Sequence, residues 1–444
     1  MSNHESKLAR LRAELAAGGP GGVGLAKSTS NLFRDREQQA RPRVDLSGFN
    51  EVVEVDAERS RVSAEGMTTY ADLVDATLAR GVMPCVVPQL KSITLGGAAA
   101  GVGIEASSFR YGLVHDTLVA LDVLLADGSV VTCTPDNEHR DLFYGFPNSY
   151  GTLGYALKVT ARTVPVKPYV RLEHVPHTRP GKFFEELASR CNSDVDFVDG
   201  TVFSGNEMYL TLGRFADSAE RPSDYTYEHI YYRSIREKKT DVLTVHDFIW
   251  RWDTDWFWCS KNLFVQNPVV RRLLGRERLN STTYTKVMRW NSRVGLTSFL
   301  FRLAGKNPES VIQDVDLPIG RCAEFLDFLL REIGVLPIWI CPIRAHDPKA
   351  VFPLYRVDPQ TLFVNFGFWD VVKDPVRREP GHYNRKIERK VAELGGVKSL
   401  YSDSYYPEDE FWRLYDKPAY DALKARYDPK GRFRNLYEKT VLRR

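Results

Sequence analysis

Residues Val87–Gly112 read VPQLKSITLGGAAAGVGIEASSFRYG. Five glycines, Gly96, Gly97, Gly101, Gly103 and Gly112, stand among alanines and hydroxyl side chains, with little bulk in the first half. Without a β-carbon a backbone can lie close against a ligand and turn its N–H groups toward phosphate oxygens. Thr94, Ser107 and Ser108 add hydroxyl donors for the same anion. The spacing is neither GxGxxG behind a strand nor GxxxxGK[ST], so it indicates neither a Rossmann turn nor a P-loop. A small-residue turn between packed elements would read the same way, so the neighbours of the stretch must decide.

Upstream, Ser6–Ala17 sets Leu8, Leu11 and Leu15 on one helical face before Gly18-Gly19-Pro20 ends it. Val23–Asn31 runs from a strand into a polar loop, Lys27-Ser28-Thr29-Ser30-Asn31. Val52–Asp56 and Arg61–Glu65 alternate like paired strands, and Tyr70–Arg80 is a helix closed by Gly81. Downstream, Thr117–Ala126 reads as an apolar strand, Asp127-Gly128 as a hairpin turn and Ser129–Cys133 as the returning strand. A short helix, Asp141–Phe146, precedes a second glycine cluster, Ser149-Tyr150-Gly151-Thr152-Leu153-Gly154, and a strand to Pro165. Pro165, Pro168, Pro176 and Pro180 then mark a change to aromatic and basic sequence. The reading divides the chain into an N-terminal helix (1–20), a nucleotide domain (21–167), a second domain (168–400) and a C-terminal segment (401–444).

The 444 residues are 43% hydrophobic and 27% charged, as in a soluble globular protein with a large core. A net charge of +4 is small for this length and argues against a nucleic-acid partner. Six scattered cysteines suit reduced, mostly buried thiols, and no histidine or cysteine spacing suggests a metal. No apolar run approaches a membrane span and no signal peptide precedes the first helix, so a cytoplasmic protein is expected, at most peripheral to the inner face of the plasma membrane.

Taken together, the two glycine clusters in this order resemble the flavin-binding fold shared by vanillyl-alcohol oxidase and p-cresol methylhydroxylase. Further stretches resemble its Δ24-sterol reductase branch: Thr94–Gly97 through Glu105, Ala126-Asp127-Gly128-Ser129, Asp141-Leu142-Phe143-Tyr144, Gln266-Asn267-Pro268, Pro337-Ile338-Trp339-Ile340-Cys341-Pro342, and Leu400–Tyr405 leading to Glu410-Phe411-Trp412. The resemblance runs from about residue 20 to the end. It implies an α+β fold: a two-subdomain flavin-binding unit of the vanillyl-alcohol oxidase type with a second α+β substrate (cap) domain. It also implies FAD held by Lys27, Ser28, Thr29, Ser30, Asn31, Thr94, Gly96, Gly97, Gly101, Gly103, Ser107, Ser108, Tyr111, Gly112, His115, Gly151, Thr152 and Gly154. Two features depart from the branch. This chain lacks its N-terminal hydrophobic anchor, and Tyr427-Asp428-Pro429-Lys430-Gly431-Arg432-Phe433 looks like the tail of bacterial FAD-linked oxidases. A similar bacterial group reduces a methylene branch on a fatty acyl chain to a methyl branch, following a lipid methyltransferase.

The resemblance thus implies reduction of an isolated lipid carbon–carbon double bond with NADPH or NADH as donor, on a methylene-branched acyl chain first and a sterol side chain next. Such a reaction needs a hydride and a proton on neighbouring carbons. Candidates for the proton are Glu105, Tyr401, Asp403, Tyr405 and Tyr406; Glu105 also reads as an ion pair with a neighbour such as Arg110. Arg426 matches the basic position of the related tails that reaches the flavin, with Lys439 as second choice. No histidine stands in Ala26–Asn31, so FAD is expected to be non-covalent, with His115 a core residue or a flavin contact. The aromatic run His246–Phe264 reads as core, or as the mouth of a lipid site where Arg271, Arg272, Arg276 and Arg377–Lys390 hold headgroups. An FAD-linked alcohol oxidase and a non-catalytic flavin scaffold are the rival functions, and the oligomeric state is open.

Overall fold

The computed structural model describes residues 3–17, 24–26, 33, 43–294 and 305–443, with side chains placed for 5–13, 24–26, 33, 43–288 and 305–443. The loop Lys27–Asn31 lies outside the described residues.

Two short strands, β1 (Gly24–Ala26) and β2 (Arg43–Asp45), pair in parallel. A six-stranded sheet follows. Its strands are β3 (Val52–Asp56), β4 (Arg61–Glu65), β5 (Val82–Pro84), β6 (Leu118–Leu124), β7 (Val130–Cys133) and β8 (Tyr155–Pro165). They run in the order β3-β4-β8-β6-β7, with β5 also on β8. The expected hairpin forms: Gly128 takes φ 90° and Asp127 Oδ1 accepts from the Ser129 N–H at 2.9 Å. Thr69 caps the helix Tyr70–Leu78 by accepting from Asp72 N–H, and Gly81, at φ 72°, ends that turn.

The second sheet has eight strands, β9 (Tyr169–His177), β10 (Phe197–Ser204), β11 (Glu207–Ala216), β12 (Thr240–Thr244), β13 (Asn307–Pro318), β14 (Ile338–Ile343), β15 (Phe363–Asp374) and β16 (Val397–Lys398). Their order is β12-β9-β11-β10-β14-β15-β13-β16, antiparallel throughout.

Side-chain alternation gives this sheet two different faces. Val198, Leu210, Val315, Ile340, Val364 and Phe366 join one buried cluster with Phe183, Phe325 and Ile387 of the helices Pro180–Arg190, Cys322–Phe328 and His382–Glu393. The alternate positions carry Asp199, Thr201, Asp314, Asp316, Trp339, Asn365 and Trp369, and the two tryptophans pack with the core of the first sheet. Polar residues on the buried face of a sheet are costly without partners, so this face is where chemistry is to be sought.

The C-terminal segment returns to the first sheet. Leu423 of the helix Lys417–Tyr427 sits where a side chain on Gly145 would otherwise lie, and Lys424 Nζ donates to Thr152 O at 3.2 Å and Phe433 O at 2.9 Å.

Candidate active site

Thr94 caps the short helix Leu95–Ala100, its hydroxyl accepting from Gly97 N–H at 3.2 Å, so the glycine stretch opens as one helical turn and not as an extended loop. Gly96 lies against Gly66, whose carbonyl oxygen would be 2.7 Å from an added β-carbon. A β-carbon on Gly97 would meet only the Thr94 side chain. The second cluster packs onto the first: Tyr150 N–H donates to Ala100 O at 2.8 Å and Asn148 N–H to Gly101 O at 3.1 Å.

Between the two domains lies a cavity of about 560 Å³. One wall is glycine-rich and polar, made by Thr94, Gly96, Gly97, Gly101, Gly103, Gly151 and Gly154, with Lys439 and Arg434. Another part of the lining is aromatic: Trp256, Phe257, Trp339 and Trp369 of the second domain and Tyr401 of the C-terminal segment, with Asp314 among them. Trp256 (φ 46°) and Phe257 (φ 61°) are consecutive left-handed residues, a conformation rare for bulky side chains and concentrated at functional sites. Both rings form cavity wall.

Asp314 on β13 faces Gly367 across the strand pair. A β-carbon on Gly367 would stand 2.7 Å from Asp314 Oδ1 and 2.6 Å from the Trp369 ring, so only glycine leaves room for both. Trp369 Nε1 donates to the Tyr401 hydroxyl at 2.9 Å, and that hydroxyl interacts with the Asp314 carboxylate. Asp314 is open only in part, and its Oδ1 is buried with no hydrogen-bond partner among the described residues. Burial pushes its carboxyl up to about 7, against the stabilising Tyr401 hydrogen bond, with Asp316 adding to the rise. Burial also drives the Tyr401 hydroxyl well above the ordinary phenol value. The result is a carboxyl that keeps its proton near neutrality beside a hydroxyl, both on the cavity wall.

A bound FAD fits these walls. The cavity size is that of a cofactor site, and its glycine wall supplies close backbone approach on the side that would meet phosphates. Gln89 is 4% exposed, lines the cavity, and has both amide atoms without a protein partner among the described residues. An unsatisfied buried amide costs about 1–3 kcal/mol, so a polar ligand edge is called for there.

Other sequence-implied residues lie elsewhere. Glu105 does not line the cavity. It is 3% exposed and accepts from Arg251 Nη2 at 3.0 Å, and the same nitrogen donates to Asp199 Oδ2 at 2.9 Å. Burial pushes Glu105 up to about 7 over the opposing pull of Arg251. Arg110, the neighbour expected to pair with it, lies 3.6 Å from Asp196 instead. Ser107 donates to Cys85 O at 2.7 Å and Ser108 Oγ accepts from Glu105 N–H at 3.1 Å, so both hydroxyls make bonds that hold the loop, and neither lines the cavity. Tyr111 and Gly112 are likewise off the cavity; Gly112, at φ 75°, makes room for Asp116, whose Oδ2 accepts from Leu113 N–H. Thr152 donates to Ser149 O within its own turn. His115 is buried against Phe352 at 4.3 Å between ring centres, and burial pushes it down to about 3, which leaves a neutral core histidine.

Asp403 lies 3.4 Å from Arg443, the Tyr405 ring stacks with Arg385 and Arg443, and Tyr406 is buried against Phe411 and Tyr415. None of these three lines the cavity, and Tyr401 alone of the expected proton donors does. Arg426 is also displaced: it pairs with Asp141 at 3.0 Å on the surface, because its face of the helix turns toward Arg140–Gly145. The second choice, Lys439, reaches the cavity and donates to Tyr150 O. Of the aromatic run, Phe248, Trp250, Trp252, Trp256, Phe257 and Trp258 are buried and Phe264 is exposed, so the segment is mostly core. Arg271 is buried in a two-point pair with Asp255 (2.7 and 2.9 Å) and is not available to headgroups. Asp314 and Gln89 were missed. The signal for Asp314 was a second acid two positions on, Asp316, both alternating with the apolar Val315 and Leu317.

Residues 26–134 match the family model for an FAD binding domain. The chain is 28% identical over 454 residues to the Δ24-sterol reductase of Pisum sativum, covering 89% of this chain and 76% of that protein. It is 28% identical over 408 residues to the Δ24-sterol reductase of Homo sapiens, with coverages of 88% and 76%. Cytokinin dehydrogenase 7 of Oryza sativa is 30% identical over 146 residues, 32% of this chain. The α+β flavin-binding fold and its sterol-reductase-like character, both implied by the motifs, are borne out.

Proposed function

We propose that this chain is an FAD-dependent reductase of an isolated carbon–carbon double bond in a lipid, with NAD(P)H as electron donor. The observation that carries the reading is the Asp314–Tyr401 pair, a carboxyl raised by burial toward neutrality and a hydroxyl, lining the same cavity as the glycine clusters. It is supported by similarity to sterol reductases along nearly the whole chain.

FAD, when bound, supplies hydride chemistry. Thr94, Gly96, Gly97, Gly101, Gly151 and Gly154 would hold it, with Gln89 meeting a polar edge and Lys439 placing positive charge nearby. An alkene without a carbonyl offers no oxyanion to stabilise, so the chain must deliver a proton to carbon. Tyr401 stands at the cavity to hand that proton over, Asp314 replenishes it, and Trp369 Nε1 fixes the hydroxyl's orientation. Trp256, Phe257, Trp339 and Trp369 would enclose an apolar chain and exclude water.

For the substrate, the names of the relatives favour a sterol side chain. The bacterial-type tail, Tyr427-Asp428-Pro429, keeps the methylene-branched acyl chain, made by a preceding lipid methyltransferase, as the other reading. Anaerobic stopped-flow decides. NADPH or NADH should bleach the flavin, and a phospholipid bearing a methylene branch, or a sterol with an unsaturated side chain, should restore its colour. Bleaching by an alcohol instead would make the chain an oxidase, and no bleaching by either a scaffold.

A further inference from the structure

The segment Cys259–Met288 has an inner and an outer side of opposite use. On the inner side, Cys259 lines the cavity and packs, with Leu263 and Leu274, against the buried cluster of Trp256, Leu279 and Tyr284. The outer side is apolar and open. Of the nine large hydrophobic side chains exposed among the described residues, five fall here: Phe264, Val269, Leu273, Val287 and Met288. Phe264 and Leu273 are each 78% exposed, and Val269 and Leu273 stand one turn apart on one face of the helix Pro268–Leu274. Phe264 takes φ 59°, so a strained aromatic residue is held with its ring in solvent. Monomeric proteins seldom concentrate apolar side chains outward in this way without a partner.

The charge of the segment names the partner. Its only acid is Glu277, against six basic residues. Arg271 is withdrawn in its buried pair, but Arg272, Arg276, Arg278 and Lys286 are exposed. Arg272 and Arg276 reach Glu228 (3.4 Å) and Asp224 (2.9 Å) only through exposed pairs, which are weak enough to exchange for phosphate. Apolar side chains ringed by cations are what an anionic bilayer recognises.

We propose that the outer side of Cys259–Met288 docks the protein on an anionic lipid bilayer. Phe264, Val269 and Leu273 enter the acyl boundary, Arg272 and Arg276 engage headgroup phosphates, and the cavity wall on the segment's inner side lies next to the membrane. The reductase reading supplies the purpose, since a lipid alkene must leave the bilayer to reach the cavity. The docking itself is measured without turnover, so the two stand or fall separately.

The test is co-sedimentation of the full-length protein with vesicles of phosphatidylcholine alone and of phosphatidylcholine with equal phosphatidylglycerol. Binding is expected to the anionic vesicles and to weaken as salt rises from about 0.1 to about 0.5 M. Phe264→Glu with Leu273→Glu should lower the partition coefficient at least about tenfold while melting temperature and flavin absorbance stay unchanged. Arg272→Gln with Arg276→Gln should weaken binding to anionic vesicles only. Val53→Glu, at an exposed apolar position on β3, should bind as the parent does. Failure of the parent protein to bind anionic vesicles, or equal binding by the Glu variants, would overturn the proposal. So would sedimentation equilibrium showing that these side chains join two copies of the chain in place of a membrane.

Discussion

Arg251 Nη2 donates to Glu105 Oε1 at 3.0 Å, across the junction between the loop that follows the glycine stretch and the second sheet's Asp199. One guanidinium therefore serves two buried carboxylates, one from each domain. That geometry makes Glu105 a structural tie between domains.

Glu105→Gln should accordingly keep alkene turnover within about threefold of the parent, far from the roughly hundredfold loss of a missing general acid. Arg251→Met should leave two buried carboxylates without their cation, Asp199 keeping only the Trp339 Nε1 hydrogen bond at 3.2 Å, and cost about 3–5 kcal/mol, read as a lower melting temperature. A hundredfold loss in Glu105→Gln, with the melting temperature kept, would restore it as proton donor.

Tyr401→Phe and Asp314→Asn should each retain FAD and its bleaching by NADPH, yet slow reoxidation by the alkene about a hundredfold or more. In the parent, the proton-dependent step should fall as pH rises through about 7, where Asp314 loses its proton. Asp314→Asn should abolish that limb. Stability follows the same sign. The folded carboxyl lies above its ordinary value of 3.8, so the native state holds the extra proton and the Asp314 contribution declines between about pH 4 and 7. A pH profile identical in Asp314→Asn would reject the assignment.

Lys439→Met should shift the flavin reduction potential or weaken FAD retention, since its ammonium stands at the cavity. Arg426→Gln should leave the flavin spectrum and potential unchanged and cost under about 1 kcal/mol, because its pair with Asp141 is largely exposed. The reverse pattern would return Arg426 to the flavin.

The two glycine clusters should fail differently. Gly97→Val is expected to fold and lose FAD, because its β-carbon meets only the Thr94 side chain before open cavity. Gly154, at φ 151°, would drive a β-carbon to within 2.5 Å of Val123 and 2.8 Å of Leu124 O. Gly154→Val should therefore lower the melting temperature before any question of cofactor arises. Circular dichroism melts beside flavin fluorescence separate the two.

FAD should leave the polypeptide intact on acid precipitation. His115 is enclosed by Phe352 and Tyr355 away from the cavity, and His115→Ala should not change flavin content per chain. Flavin remaining on the denatured chain would contradict this.

Much was legible along the chain because it is written locally. Alternation from Val52 to Glu65, the Asp127-Gly128 turn, the capped helix at Tyr70 and the two glycine clusters each depend on neighbours a few residues away. Their order carries the resemblance that implied the flavin-binding fold. Tyr401 was reachable through its motif. The errors at Glu105 and Arg426 share one cause: proximity in sequence to a cofactor motif says nothing about which way a side chain points. Glu105 follows a cavity-lining residue, Ile104, yet turns to Arg251, 146 positions away.

The sequence by itself pointed to the cofactor class, through the family that its two glycine clusters and their flanking motifs resemble, and glycines can be read from letters because they are absent side chains. Only the tertiary structure brought Asp314 forward as the candidate acid. Burial and the neighbouring Asp316 raise Asp314, against the hydrogen bond of Tyr401, 87 positions later, in the room left by Gly367 on the opposing strand. Desolvation and cross-strand contact are sums over groups distant in the chain, so they exist only once the sheet has closed over the cavity.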